Sequence, residues 1–312
     1  MHRPGKSDQL GAPDNVVLPP HTHAPTHATW ATRLTWLLLP VLGGGAFGEA
    51  LSGHSRPVQL TGTTIAWVAW AAVALALLVP STVSLTVVRV IVPAALVSSM
   101  VASFNGTSVM PAAVAASLSA LAAVGVMHGD LGEHFAQASA YGDERRLVLR
   151  PPLAFLVPAV IAWFVLCAAW LVGPLTLAAR GWAVGVPLTI IAVVLSWYFG
   201  RRFHRLSRRW LVLVPAGVVI HDHLVLAETV MFQRSVVSSI TLALADTEAA
   251  DLTGPAAGHA IEIALADLST IVLAPTREKP NGTALHVRSM LVAPTRPGRA
   301  LAAAAQRRLP VG

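Results

Sequence analysis

The stretch Trp197-Tyr-Phe-Gly-Arg-Arg-Phe-His-Arg-Leu-Ser-Arg-Arg-Trp210 marks the point where the character of the chain changes. Before it, residues 34–200 are dominated by long apolar runs, and after it, residues 208–312 consist of short segments in which apolar and polar residues alternate. The stretch carries five arginines beside an aromatic helix end, which is typical of the cytoplasmic end of a membrane helix. We call these residues the collar and predict that they lie at the membrane surface and determine the topology: Arg201, Arg202, Arg205, Arg208 and Arg209.

The composition is that of a membrane protein. Hydrophobic residues make up 54% of the chain and charged residues 12%, with a mean hydropathy of +0.64, far from the values of soluble globular proteins. The formal net charge is +7, but residues 208–312 hold ten basic and eight acidic side chains, so most of the excess lies in the N-terminal tail and the loops that flank the helices. This distribution argues against a basic nucleic-acid-binding face, and no nucleic acid partner is expected.

Six apolar segments within residues 34–200 are each close to the ~20 residues that an α-helix needs to cross a bilayer. We predict that they form a six-helix transmembrane domain. The first segment has the weakest pattern because it contains Pro40 and several glycines, and its helix is expected either to kink or to pack closely through Gly44 and Gly48. The six segments comprise residues 34–51, 61–79, 83–103, 107–127, 152–175 and 182–199.

The basic residues of the loops predict the orientation of these helices. With the N-terminus inside, eleven basic residues of the tail, the loops and the collar lie in the cytoplasm, and only Arg56 and Arg180 lie outside. We therefore expect a multi-pass protein of the plasma membrane with both termini in the cytoplasm. If the first segment did not span the membrane, the tail would lie outside, but the C-terminal domain would stay in the cytoplasm.

Two polar regions precede or interrupt the apolar segments. Residues 1–33 are rich in Pro, His, Thr and Ala and are expected to form a disordered cytoplasmic tail. Residues 128–151 form the only sizeable loop between the predicted helices, and we predict a solvated central cytoplasmic loop in which acidic side chains pair locally with arginines. If part of this loop is helical, Asp130 and His134 share one face and could form a metal or proton site.

Residues 208–312 show the periodicity of β-strands. Ile240, Leu242 and Leu244 alternate with small or polar residues, and similar patterns predict six or seven short strands separated by turns. One helix is expected to close the chain, since Pro297 suits its first turn and apolar residues follow at a spacing of four. The pattern predicts a small all-β sandwich or barrel with a terminal helix.

This order of elements, about seven strands followed by one helix, resembles the bacterial pleckstrin-homology-like (PH-like) domain. The resemblance covers residues 208–309 and rests on element order alone, and it implies a small β barrel closed by one helix, with no catalytic motif. The complete layout looks like multi-pass membrane proteins of actinobacteria that carry such a C-terminal domain. A bacterial source agrees with the composition, because Arg far outnumbers Lys and because Ala and Val are abundant.

Arg89 is the only charged residue inside a predicted helix core. Charged groups within a membrane are candidate functional groups by default, so Arg89 is the intramembrane polar candidate of this chain. It lies about 9 Å from the nearest inner helix end at the helical rise of 1.5 Å per residue. Three roles stay open for its side chain: reaching the cytoplasmic headgroups, packing against polar groups of neighbouring helices, or lining a substrate or ion pathway.

The sequence favours an integral membrane protein that presents a cytoplasmic PH-like interaction domain, as a scaffold or regulatory component of a membrane assembly. Its expected partners are membrane lipid at the collar and a protein that binds residues 208–312. No catalytic residue, cofactor or metal site is predicted, and the single cysteine, Cys167, excludes an intramolecular disulfide. Two alternatives stay open: a small-solute or ion transporter or channel that uses Arg89, with a regulatory β domain, and a membrane enzyme that acts through residues 128–146.

Overall fold

The computed structural model describes residues 25–312, and six of its helices are long and apolar enough to cross a membrane. This confirms the predicted multi-pass architecture. A shorter helix, α5 (Gly129–Gln137), lies between the fourth and fifth of these helices. The six long helices are α1 (His27–Ser52), α2 (Arg56–Leu78), α3 (Thr82–Ser103), α4 (Val109–Met127), α6 (Leu153–Ala178) and α7 (Trp182–Ser207).

Helix α1 begins inside the region that the sequence assigns to the tail. The hydroxyl oxygen of Thr26 caps the helix by accepting a hydrogen bond from the amide nitrogen of Thr29 at 3.4 Å. The prediction of a disordered tail is therefore wrong for residues 27–33, because a capped helix with threonines on its buried side starts before the first strongly apolar residues. The rest of the predicted tail, residues 1–24, lies outside the described residues.

Helix α1 packs against α4 through a glycine other than the two predicted. A Cβ atom at Gly43 would lie 3.1 Å from the Cα atom of Ala115, so a side chain there would require the two helices to separate by a few tenths of an ångström. Among residues 25–312, no atom outside the local backbone of α1 lies within 4 Å of the equivalent position at Gly44 or Gly48, and the predicted close packing through these residues is wrong. The buried residues of α1 recur every three or four positions and include Gly43, and this periodicity places Gly44 and Gly48 on the outer side of the helix.

Helices α6 and α7 form a tightly packed hairpin. A Cβ atom at Gly173 of α6 would lie 2.8 Å from the amide nitrogen of Thr189. A Cβ atom at Gly185 of α7 would lie 2.5 Å from the amide nitrogen of Leu177. Both contacts are with backbone atoms, which cannot move aside as a flexible side chain can. The two glycines therefore set the distance between the helices.

Gly185→Ala is expected to force α6 and α7 apart and to lower the free energy of unfolding by about 1–3 kcal/mol, the usual cost of overpacking a closely packed contact. The midpoint of unfolding in detergent measures this loss. Gly200→Ala is the matched control, since it lies on the same helix and its added methyl group meets no atom of another part of the described chain within 4 Å. Equal midpoints for the two variants would contradict the close contact at Gly185.

Residues 128–151 do not form the predicted solvated loop. They contain α5 and the strand β1 (Arg145–Val148), which pairs antiparallel with β2 (Trp210–Val214). Leu131 and Phe135, one turn apart on α5, are fully buried in the apolar cluster at the ends of the membrane helices. The amphipathic character of α5 explains the difference, because a helix with one apolar face buries that face instead of staying in solvent.

The strands form two four-stranded sheets. The first sheet is antiparallel throughout and has the order β1-β2-β3-β4. The second has the order β5-β7-β8-β6, in which only the short β6 runs parallel to its neighbour. The remaining elements are β3 (Gly217–His221), β4 (Val230–Gln233), β5 (Val237–Leu242), β6 (Ala250–Asp251), β7 (Ile261–Leu273), β8 (Thr283–Val292) and α8 (Pro297–Gln306).

A single apolar core joins the two sheets and α8. Leu147 of β1 and Leu211 of β2 belong to the same buried cluster as Ile263 of β7, Met290 of β8 and Ala304 of α8. We therefore define the β domain as β1 to β8 together with α8. Within residues 25–312 the two sheets do not close into a barrel, so the sandwich form of the predicted β fold matches the structure better than the barrel form.

Candidate functional site

The β domain meets the membrane helices at the acidic side of α5. Asp130 and Glu133 lie one helical turn apart and are only 8% and 4% exposed. Arg299 of α8 donates a hydrogen bond to the Asp130 carboxylate at 2.6 Å, and a guanidinium nitrogen of Arg296 lies 3.1 Å from the same oxygen. These ion pairs attach α8 to α5.

Glu133 makes the second half of this contact. Its carboxylate lies 3.4 Å from Arg145 of β1 and 3.5 Å from Arg299. Burial raises the pKa of Glu133 above its ordinary value, although Arg145, Arg299 and Arg296 act in the opposite direction. Burial also lowers the pKa of the Arg145 guanidinium. Because desolvation offsets much of the attraction, we interpret this α5 ion cluster as a contact that sets geometry more than net stability.

Glu133→Gln is expected to change the pH dependence of unfolding. The raised pKa means that the folded chain binds the Glu133 proton more tightly than the unfolded chain does. The contribution of this residue to the free energy of unfolding therefore falls as the pH rises from the ordinary carboxyl pKa through the raised value. Glutamine is neutral throughout, so the thermal midpoint of the variant should fall less than that of the wild type over this interval.

The exposed Glu248→Gln is the control for this measurement, because it removes one carboxyl group from the same domain without touching the α5 ion cluster. Its thermal midpoint should follow that of the wild type across the pH series. The interpretation would be contradicted if Glu133→Gln and Glu248→Gln had the same pH dependence.

Within residues 25–312, the structure places no complete set of metal ligands beside Asp130 and His134, where the sequence suggested a metal or proton site. The Asp130 carboxylate faces Arg296 and Arg299, and its other oxygen lies 3.6 Å from Nδ1 of His128. In the part of the chain that the structure describes, no group of three or more His, Cys, Asp or Glu side chains could hold a metal ion. Through these ion pairs, Asp130 takes part in the contact between the β domain and α5.

Arg89 lies two turns into α3 and extends towards α5. Its Nε atom donates to the carbonyl oxygen of Val126 near the end of α4, at 3.5 Å. A Cβ atom at Gly132 of α5 would lie 2.8 Å from its Nη2 atom, so the absence of a side chain at Gly132 makes room for the guanidinium. This position fits a side chain that reaches from a membrane helix to the boundary occupied by α5.

Three collar residues lie on the last turns of α7, which continues to Ser207. The guanidinium of Arg201 lies 4.0 Å from the centre of the Trp197 ring, and that of Arg202 lies 4.4 Å from the Tyr198 ring. Arg205 is exposed on the same helix end. Cations are favourable at a helix C-terminus, and aromatic rings beside them are typical of a membrane interface. The membrane-surface role of these arginines stays a prediction that this geometry fits.

Arg209 differs from the other collar residues, and its predicted place at the membrane surface is wrong. Only 1% of its side chain is exposed, and it donates to both carboxylate oxygens of Asp222, at 2.8 and 2.6 Å. A further bond runs from its Nη1 atom to the carbonyl oxygen of Arg150. Side chains alternate along an extended chain. Arg208 is exposed and Trp210 lies on the outer face of the first sheet, so Arg209 between them points into the β domain.

A cleft of about 410 Å³ lies between the outer face of the first sheet and the ends of α3 and α7. We call it the Trp210 cleft, after one of the residues that line it. The Arg146 guanidinium lies 4.7 Å from the centre of that ring, and the His221 ring stacks on it at 5.1 Å with an interplanar angle of 12°. Thr82 of α3, together with His204 at the end of α7, lines the side that faces the membrane helices.

No protein-family model, no curated protein and no solved structure matches this chain. The class of protein is defined by the fold itself. Six apolar helices make it a multi-pass integral membrane protein, and the two sheets form a β domain on the side where α3 and α6 begin and α4 and α7 end.

Proposed function

We propose that this chain is a non-catalytic membrane protein that presents its β domain to the cytoplasm as an interaction domain, in a scaffold or regulatory role within a membrane assembly. The observation that carries the proposal is the double attachment of the domain. β1 precedes the α6–α7 hairpin, β2 follows it, and all four residues of β1 pair with β2. The α5 ion cluster adds a third connection through α8.

A domain attached in this way has a defined orientation relative to the membrane. A flexible tether would let it sample many orientations, whereas a fixed attachment presents the same surface to every neighbour in the bilayer. This raises its effective concentration for partners that are themselves bound to the membrane. The excess of loop arginines on the side of the β domain supports a cytoplasmic location in a bacterial plasma membrane.

The PH-like assignment is part of the proposal. Seven strands, β2 to β8, and then one helix follow the collar, which is the element order on which the resemblance rests. Two features depart from a closed PH-like barrel: the two-sheet arrangement and the contribution of β1 from an earlier part of the chain. The proposed interaction role depends on the fixed attachment of the domain and would survive without the family assignment.

Transport through Arg89 has less support. The guanidinium lies near the end of α4 and against α5, where a structural contact explains its position. In the described residues 25–312, no carboxylate lies within 4.0 Å of it to act as a proton-relay partner. An inserted and folded Arg89→Ala protein that lost a solute flux would nevertheless favour transport over the interaction role.

In-cell crosslinking followed by affinity purification tests the interaction role. The full-length protein should crosslink to a defined set of membrane-associated proteins, and so should Arg89→Ala. Leu147→Asp, which disrupts the β domain while retaining every residue of the chain around it, should lose that set. Tyr141→Ala, at a side chain that is 91% exposed, is the control that should retain it. An unchanged set of crosslinks in Leu147→Asp would contradict the proposal.

A further inference from the structure

The Trp210 cleft is formed by residues that are distant in the sequence. Arg146 comes from β1, His204 from α7, Trp210 from β2 and His221 from β3, and Thr82 begins α3. Its volume of about 410 Å³ lies within the range of small-ligand sites. The first sheet buries one face in the core of the β domain, and on its outer face Val148, Trp210 and Val212 pack with Ala136 of α5. The cleft lies on this outer face, beside that contact.

Two polar atoms at this cleft lack a hydrogen-bond partner within residues 25–312. They are Nε1 of Trp210 and Nε2 of His221, and both atoms are buried. The other ring nitrogen of His221 bonds to the hydroxyl of Thr229 at 2.8 Å, so only Nε2 lacks a partner. Buried polar groups without partners are costly, so a ligand that entered the cleft and reached these two nitrogens would gain two hydrogen bonds. Because both nitrogens are shielded from solvent, the side chains around them must shift for the ligand to reach them.

The charges around the cleft indicate the sign of that group. Arg146 is paired with Glu144 through two bonds, at 3.0 and 2.6 Å. Arg208 also lines the cleft, and no carboxylate of the described chain lies within 4.0 Å of its guanidinium. Burial, then His223, Arg208 and Arg146, lower the pKa of His221 to about 4. Asp222 acts in the opposite direction, and the Glu144 carboxylate that pairs with Arg146 also lines the cleft. The unpaired Arg208 therefore leaves the cleft with an excess of positive charge, which favours an anion.

The cleft lies at the level where the membrane helices end. Thr82 is the first residue of α3, and Arg208 follows the last residue of α7. One or two turns away on α7, Arg201 and Arg202 stack on Trp197 and Tyr198, as expected for a headgroup region. A ligand in the cleft would therefore be within reach of the phosphate groups of the adjoining leaflet.

We propose that the Trp210 cleft binds a phosphate group, held by Arg208 and Arg146, by the ring N–H of Trp210 and by Nε2 of His221 in the tautomer that carries the proton there. The phosphate comes either from an anionic phospholipid of the adjoining leaflet or from a soluble phosphate. Arginine suits this role because its planar donors match phosphate oxygens. The site does not depend on the proposed protein-interaction role, and the two are tested by different measurements.

The test measures the affinity of the full-length protein for two probes. One probe is a short-chain phosphatidylglycerol added to protein in zwitterionic detergent, and the other is inorganic phosphate under the same conditions. Arg208→Gln should weaken binding roughly tenfold or more, since hydrogen bonds to charged groups are the strong ones. Arg205→Gln, the neighbouring collar arginine outside the cleft, should change the affinity less than about twofold, as expected for an exposed charge.

A second variant distinguishes a loss of phosphate binding from a loss of folding. Trp210→Phe keeps an aromatic ring in the same place but removes the N–H group, and it too should weaken binding. Binding of the lipid alone would identify the leaflet as the source of the phosphate, and binding of inorganic phosphate alone would identify a soluble ligand. Equal weakening by Arg208→Gln and Arg205→Gln would overturn the proposal, and so would the absence of binding by both probes.

Discussion

Leu147→Asp is expected to unfold the β domain, although most of that domain lies more than sixty residues further along the chain. Leu147 is 1% exposed and belongs to the core shared by the two sheets. The variant removes apolar packing and places an unpaired carboxylate in that core. Together these changes should lower the free energy of unfolding of the domain by at least about 3 kcal/mol.

Limited proteolysis of membranes that contain the variant measures this effect. A protease should degrade residues after the collar in Leu147→Asp, while the membrane helices remain protected. Tyr141→Asp introduces the same charge six residues earlier, at an exposed position, and should leave the β domain resistant. If Leu147→Asp were as resistant as Tyr141→Asp, β1 would not be part of the β domain.

Arg209→Ala is expected to be the second most damaging change. It would leave the Asp222 carboxylate buried without its partner and would also remove the bond to the Arg150 carbonyl oxygen. Breaking a buried ion pair from one side costs about 3–5 kcal/mol, because the remaining charge is neither solvated nor paired. Chemical unfolding monitored by near-ultraviolet circular dichroism should show this loss.

The double variant Arg209→Met with Asp222→Leu distinguishes an ion pair from simple packing. Replacing both charges with apolar groups of similar size should recover most of the lost stability, since no unpaired charge remains. Arg205→Ala, an exposed change in the same collar, should alter the free energy of unfolding by less than about 1 kcal/mol. A double variant as unstable as Arg209→Ala would contradict the assignment of Arg209 to a buried ion pair.

The membrane helices could be predicted from the sequence because length and apolar character alone define them. The strands after the collar could be predicted as well, since their alternation is a local pattern. β1 could not: the two arginines that precede Leu147 and Val148 resemble a loop, and the pairing partner of this strand follows only after the α6–α7 hairpin. Pairing between such distant segments leaves no local signal.

Other features of the contact between the β domain and the membrane helices were not predicted from the sequence, for different reasons. The spacing of Leu131 and Phe135 does indicate an amphipathic helix, so α5 could have been recognised from its apolar face. The difference between Arg208 and Arg209 depends on the exact start of β2, which sequence patterns rarely resolve. The Trp210 cleft has no motif at all, because each of its elements contributes only one or a few residues.

β1 and β2 pair although a membrane hairpin separates them in the sequence, and a disulfide between the two strands tests this pairing. Arg146 and Val212 face each other in this register. The amide of Leu149 donates to the carbonyl oxygen of Arg209, so these two residues form a hydrogen-bonded pair. Hydrogen-bonded and non-hydrogen-bonded pairs alternate along an antiparallel ladder, which makes Arg146 and Val212, three residues away, a non-hydrogen-bonded pair. Cα atoms in such pairs lie about 4.5 Å apart, within the range of a disulfide.

The measurement is mass spectrometry of the mildly oxidised variant Arg146→Cys with Val212→Cys, in a chain that also carries Cys167→Ala. Arg146→Cys with Val214→Cys is the control, because a diagonal pair two residues away lies about 7–8 Å apart, too far for a disulfide. The pairing predicts a disulfide-linked peptide in the first variant and little or none in the second. Two results would contradict a β domain assembled from two parts of the chain. One is equal disulfide formation in both variants. The other is no disulfide in either variant although their thiols react once the protein is denatured.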